Sequence, residues 1–308
     1  MNHLNDYIKE YKEHCEYRKR LNSKTLKAYG IDLRQYSSFT SNAQEWYSKN
    51  ILDQYITNLH KQYKPKTVKR KIASLKAFFH YLEYREILQE NPFSKLDVRF
   101  REARILPKTI PFHSIQAFLS VLYSQKDLAS TEYRKRCCIR DIAVIELLFA
   151  TGMRISELCS LKPADIDLAN NTVLIYGKGA KERILQICNP EVISALTLYQ
   201  ETFKEEMSLC GYFFVNRLQS RLSDQSVRFM INYYSNLAGI EQHITPHMFR
   251  HSFATLLLEQ DVDIRYIQKM LGHSSISTTE IYTHVSNAKQ KDILVHKHPR
   301  NLISINKG

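Results

Sequence analysis

At 308 residues, 44% of them hydrophobic, the chain is long enough for two ordinary domains with cores of their own, which argues against a disordered polypeptide. Its 44 lysines and arginines against 31 acids leave a formal net charge of +13 on a chain that is 11% aromatic, so the excess charge sits on folded surface and points to a polyanion, nucleic acid first. No run approaches the roughly 18 apolar residues that span a bilayer, and the opening MNHLNDYIKEYKEH lacks a signal-peptide core, so a cytoplasmic protein is expected.

Residues 1–100 carry helical patterns and no convincing strand. Asn22 or Ser23 caps a helix with Leu26, Tyr29, Leu33 and Tyr36; a second holds Ile51, Tyr55 and Leu59. A third, from Pro65 or Lys66 to about Leu88, puts Val68, Ile72, Leu75, Phe78, Phe79 and Leu82 on one side. Its other side is basic, with Lys66, Lys69, Arg70, Lys71 and Lys76, and is either a solvated face or one that lies on DNA phosphates. The helical pattern stops at Asn91-Pro92-Phe93, because the residue before a proline is disfavoured in the helical region. The charged, proline-containing stretch RFREARILPKTIP supplies a linker over residues 101–111, with the boundary near residue 107. It separates a helical domain, 1–100, from a larger one, 112–308.

The second half opens with helices from Ser114 to Tyr123 and from Glu132 to Ala150. The one clear β signal follows: residues 171–176 and 183–187 flank Gly177-Lys178-Gly179-Ala180-Lys181 and form a hairpin. Helices resume after Pro190. The fold class is mainly α with a small antiparallel β-sheet. The six cysteines, at 15, 137, 138, 159, 188 and 210, form no CxxC pair and mostly sit in apolar stretches, so reduced, buried thiols are expected.

In TPHMFRH, Thr245 is a good N-cap and Pro246 a good first helical residue. His247 and Arg250 then fall near the start of a helix, three residues apart on one face, where free backbone N–H groups favour an anion. Alone, this is also an ordinary helix end. In LGHSSISTTEIY, Gly272 closes one helix, Ser275 or Ser277 caps the next, and Ser277 with Glu280 has capping-box spacing. His273 is thereby held in a tight turn, with Tyr282 early on the following helix; a lone helical tyrosine is more often core than catalyst. His243, His247 and His251 recur every four residues, which on one helix would suggest zinc. Pro246 starts the helix after His243, however, and no carboxylate cluster suited to Mg²⁺ is evident, so activity without a divalent metal is expected.

With ATGMRISEL upstream and GKGAKER at the hairpin, these segments make four motifs in register, and the sequence resembles the tyrosine recombinase, or phage integrase, family, closely its Xer-type members. Order and spacing match, for example 178 − 154 = 24 and 282 − 273 = 9, and the helical front half and ILPKTI also fit. The resemblance implies a site-specific DNA recombinase that cleaves and rejoins strands through a 3′-phosphotyrosyl intermediate on Tyr282, without metal or ATP. Arg154 and Arg250 match the family's two arginines, His247 and His273 its two histidines, Lys178 its general acid, and Glu157 its accessory acid, for which a surface ion pair is the plain alternative. Lys66, Lys69, Arg70, Lys76 and Lys181 are candidate DNA contacts.

The implied architecture is a two-domain DNA clamp, a helical core-binding domain plus the catalytic domain. It would work as a homo-tetramer on paired recombination sites of double-stranded DNA, or as a hetero-tetramer with a related recombinase. Residues 287–308, with Ile293, Leu294, Val295, Leu302, Ile303 and Ile305, would dock onto a neighbour, with a disordered tail as the plain alternative. Chromosome dimer resolution and mobile-element integration or excision both fit the sequence. So do two rival functions, a type IB topoisomerase and a non-catalytic DNA-binding regulator on a recombinase scaffold.

Overall fold

In the computed structural model, which describes residues 3–96, 98, 108–177 and 182–272, helix α1 (Leu4–Glu13) runs on through a π-helical turn (His14–Arg18). It is followed by α2 (Ser23–Phe39), α3 (Lys49–Gln62), α4 (Pro65–Tyr84) and a 3₁₀ turn (Pro92–Lys95). Local chemistry sets three of the starts. The Asn22 side chain accepts from the Thr25 amide, the Ser48 hydroxyl from the Ile51 amide, and Pro65 opens α4. The apolar faces meet in one core that includes Tyr11, Leu33, Tyr36, Leu52, Phe78 and Phe79. Helix α4 ends at Tyr84 and does not reach Leu88, because Glu86 adopts a left-handed φ of +58°.

One member of the expected basic face is turned inward. Lys71 is only 2% exposed, and its ammonium donates to Asp32 on α2 at 3.1 Å and to Gln35. Asp32 is fully buried and also accepts from Ser74 at 2.8 Å and from Arg70. A carboxylate removed from water needs charged and hydrogen-bonding partners, and α4 supplies them. Lys66, Lys69, Arg70 and Lys76 remain exposed.

The chain divides into two compact units, Met1–Arg104 and Ile105–Gly308. In the second, α5 (Phe112–Asp127) precedes α6 (Glu132–Thr151), the central helix, which packs against α5, α8 and α11. Then come the short helix α7 (Ile155–Leu158), a 3₁₀ turn (Pro163–Asp165), strands β1 (Ile166–Asp167), β2 (Thr172–Tyr176) and β3 (Glu182–Gln186), and helices α8 (Pro190–Thr202), α9 (Lys204–Cys210), α10 (Asp224–Leu237), α11 (Pro246–Glu259) and α12 (Ile264–Leu271). The antiparallel sheet has the order β1-β2-β3, so the expected hairpin gains a third strand, two residues long and too short to show a period in the sequence. Its register sets Val173 opposite Leu185 and Ile175 opposite Arg183, with Val173 and Ile175 buried.

All six cysteines are free. Cys15, Cys138 and Cys159 are buried, Cys137 and Cys210 are half-buried, and Cys188 is exposed, against the expectation, because it lies in the link after β3. Among the described residues, no helix is long and apolar enough to cross a membrane.

Candidate active site

The site is built where helices stop. Helix α6 ends at Gly152 in the left-handed conformation, φ +57°, and a Cβ there would lie 2.6 Å from Phe253 of α11 and 3.0 Å from Leu271 of α12. Only glycine permits both the turn and the close approach of those helices. Two residues on, Arg154 is the N-cap of α7. Its amide donates to Glu157 Oε2 at 2.9 Å and its Nη1 to Oε1 at 2.7 Å.

Glu157 is not part of a surface pair. Its side chain is 6% exposed, against 36% for Arg154. It also accepts a fork from Arg183 on β3, Nη2 to Oε2 at 2.7 Å and Nη1 to Oε1 at 3.3 Å. Burial pushes the Glu157 carboxyl up, but the hydrogen bonds from Arg183 and from Arg154 outweigh it and hold the group below the usual range, so it stays ionised.

The second arginine of the motifs is deeper. Arg250, on α11, is 4% exposed, and donates from Nη1 to the Gly152 carbonyl at 2.8 Å and from Nη2 to the Leu271 carbonyl at 2.7 Å. Carbonyls at helix C-termini lack intrahelical partners and carry partial negative charge, so a guanidinium is a fitting cap. One side chain thus ties the turn before Arg154 to the turn before His273. Helix α12 ends at Gly272, with φ +64°, as its sequence implied.

His247 lies in the first turn of α11 and is exposed, so the face it shares with Arg250 runs from the surface inward. Thr245 is the N-cap by backbone conformation, without a side-chain cap bond. His243 precedes α11 and is therefore not on one helix with His247 and His251. His251 is half-buried, and burial, with the charges of His247 and Arg250 adding, pushes it down to about 4, so it is neutral at pH 7.

Of the candidate residues, Arg154, Glu157, His247 and Arg250 belong to this one unit, with the Arg154 turn and Arg250 directly joined. Lys66, Lys69, Arg70 and Lys76 are on α4 of the other unit. Lys178, Lys181, His273 and Tyr282, and the segment 287–308, lie outside the described residues. Arg183 escaped the reading of the sequence. The signal was present: a charged residue that shares the inward side of β3 with Leu185 needs a buried partner. The ensemble, two arginines and a histidine at helix ends with one carboxylate behind them, suits an anionic group with two oxygens to neutralise.

Comparison with known proteins gives a consistent result. The Phage integrase family matches residues 116–289, and the Phage integrase, N-terminal SAM-like domain matches residues 8–86. A tyrosine recombinase of Agathobacter rectalis is 56% identical over 301 residues, covering 97% of this chain and 98% of that protein. Tyrosine recombinase XerD of Listeria monocytogenes is 33% identical over 307 residues, covering 96% and 100%. Among solved structures, XerH site-specific recombinase bound to palindromic difH substrate superposes with a TM-score of 0.71 over 94% of this chain and 84% of that one, at 21% identity, a likeness of fold.

Proposed function

This chain belongs to the phage integrase family of tyrosine recombinases, and on that premise we propose how its own residues cut and rejoin DNA in site-specific recombination. The Tyr282 hydroxyl attacks the scissile phosphorus while the bond to the 5′ oxygen breaks. The products are a 3′-phosphotyrosyl ester and a free 5′ hydroxyl. Arg154 and Arg250 neutralise the two non-bridging oxygens as charge builds on them. His247 and His273 donate to the same oxygens or take the tyrosine proton, and Lys178 gives a proton to the leaving 5′ oxygen. The ester conserves the energy of the phosphodiester, so a 5′ hydroxyl from a second strand reverses the step and frees the tyrosine.

The observation that carries this reading is the Arg250 bridge between the carbonyls of Gly152 and Leu271. It supports a single site made from motifs that are remote in sequence. Glu157 acts as the accessory acid by fixing the Arg154 guanidinium. The exposed basic residues of α4, with Lys181, contact DNA phosphates, and the working unit is a tetramer on paired sites, of identical chains or with a related recombinase. Every expected catalytic position is filled, which favours the enzyme over a DNA-binding regulator.

A nicked suicide duplex tests the assignment. Tyr282→Phe removes one hydroxyl and leaves the basic surface intact, so the expected outcome is normal DNA binding with complete loss of covalent protein–DNA product. Robust trapping by that variant reassigns the nucleophile.

A further inference from the structure

Arg183 joins three elements at once. It projects from β3, five residues after Lys178 (183 − 178 = 5). Its Nη atoms fork onto Glu157 at 2.7 and 3.3 Å, and its Nε donates to the Met270 carbonyl at 2.8 Å, in the last turn of α12. The side chain is 10% exposed. The turn at Gly272 closes over it, since a Cβ at Gly272 would stand 3.0 Å from Arg183 Nη1. Lysine could not replace this set of contacts, because an ammonium is a point charge and cannot fork a carboxylate while capping a carbonyl.

We propose that Arg183 is a positioning residue for strand cleavage, acting through Glu157 on Arg154. This rests on the catalytic role assigned above to Arg154. With Arg183 in place, the Glu157 carboxylate is divided between two guanidiniums, and the half-exposed Arg154 keeps positive charge for the phosphate. Without it, Glu157 draws on Arg154 alone, and β3 loses its tether to the end of α12. The Nε, Nη1 and Nη2 of Arg183 already donate within the protein, two of them to the Glu157 carboxylate that pairs its charge, so its effect belongs in the rate of cleavage and not in affinity.

The test is single-turnover cleavage of a nicked suicide duplex at saturating DNA, with DNA affinity and melting temperature measured in parallel. Arg183→Gln should cleave about 10- to 100-fold more slowly, by analogy with the outer partners that orient metal ligands, with affinity essentially unchanged. Arg183→Lys should recover part of the rate. The Glu157→Gln/Arg183→Gln double variant should be no slower than the slower single variant, because the two act in series. Wild-type cleavage by folded Arg183→Gln overturns the proposal; so does a loss of affinity that matches the loss of rate, or a double variant whose defects multiply. Should Arg183→Gln melt early, full wild-type cleavage by Arg183→Lys is the overturning result. Wild-type protein in the same assay separates the premises. If it yields no tyrosine-linked product, the catalytic reading fails; if it does and Arg183→Gln matches it, only the role of Arg183 fails.

Discussion

Asp32 and Glu157 are both buried carboxylates shared between two cationic side chains, one in each unit, and they differ in what those cations are attached to. The partners of Asp32, namely Arg70, Lys71 and Ser74, all stand on α4, a regular helix of 20 residues, and the network joins α4 to α2 beside a core that Leu33, Phe78 and Phe79 already fill. The partners of Glu157 stand at the cap of a four-residue helix and on a short strand. Helices that short have little stability of their own, so there the hydrogen bonds are much of what defines the geometry. Losing one partner of the Asp32 network therefore strands a buried charge between helices that packing already places, whereas losing one at Glu157 frees the Arg154 guanidinium that it holds.

Chemistry confined to the second unit is tested most strongly at Lys178. Lys178→Ala should slow cleavage by about 10²–10⁴-fold, the range for a lost general acid. A substrate with sulfur at the bridging 5′ position leaves as a stable thiolate and should largely restore it. Arg154→Ala, which removes charge stabilisation, should gain much less from sulfur. If sulfur leaves the lysine variant as impaired as before, Lys181 is the acid to try next.

The next largest effect belongs to the first unit. Asp32→Ala leaves Lys71 buried without its carboxylate and should cost about 3–5 kcal/mol of stability, with the cleavage step unaltered at saturating DNA. The sole tryptophan, Trp46, is 6% exposed in the core of that unit, so its fluorescence in urea reads this loss directly. A slowed cleavage step with unchanged urea stability would erase the difference between the two carboxylates.

Gly152→Ala, with its left-handed backbone and the Phe253 ring in the way, should cost about 1–3 kcal/mol, visible by calorimetry and as slower cleavage. The smallest effect is a pH dependence at His251. Its folded value, about 4, lies below the ordinary histidine value, so the unfolded chain takes up the proton first. Stability contributed by the neutral imidazole is therefore present above about pH 6.5 and is lost as pH falls toward 4. Discounted for partial exposure, the change is about 1 kcal/mol or less, and His251→Gln should flatten the urea midpoint across that window.

The sequence was readable where one local rule decides: Asn22 as a cap, Pro65 and Pro246 as helix openers, Gly272 as a helix end, and the β-branched and apolar runs that make the hairpin. It misled at Lys71, because the partner that draws this lysine inward, Asp32, is 39 residues away on another helix, and helical spacing cannot see it. The end of α4 was overrun for a similar reason: a left-handed Glu86 carries no glycine signature. In the site, Arg154, Glu157, His247 and Arg250 were legible through the resemblance of four motifs in register to the tyrosine recombinases, whereas the local pattern around His247 and Arg250 alone is that of an ordinary helix end. The fork from Arg183 to Glu157, 26 residues distant, exists only once β3 is folded against α7.

Helix α12 ends with two of its last carbonyls, Met270 and Leu271, occupied by arginines from elsewhere in the chain. Its eight residues are held by those caps and by Ile267 and Leu271 packing on Ala254. The order of α12 and the poise of Arg250 are therefore linked quantities in the thermodynamic sense. An anion that favours one arrangement of the guanidinium shifts the opening equilibrium of the helix, and by reciprocity anything that steadies the helix shifts affinity for the anion by the same factor.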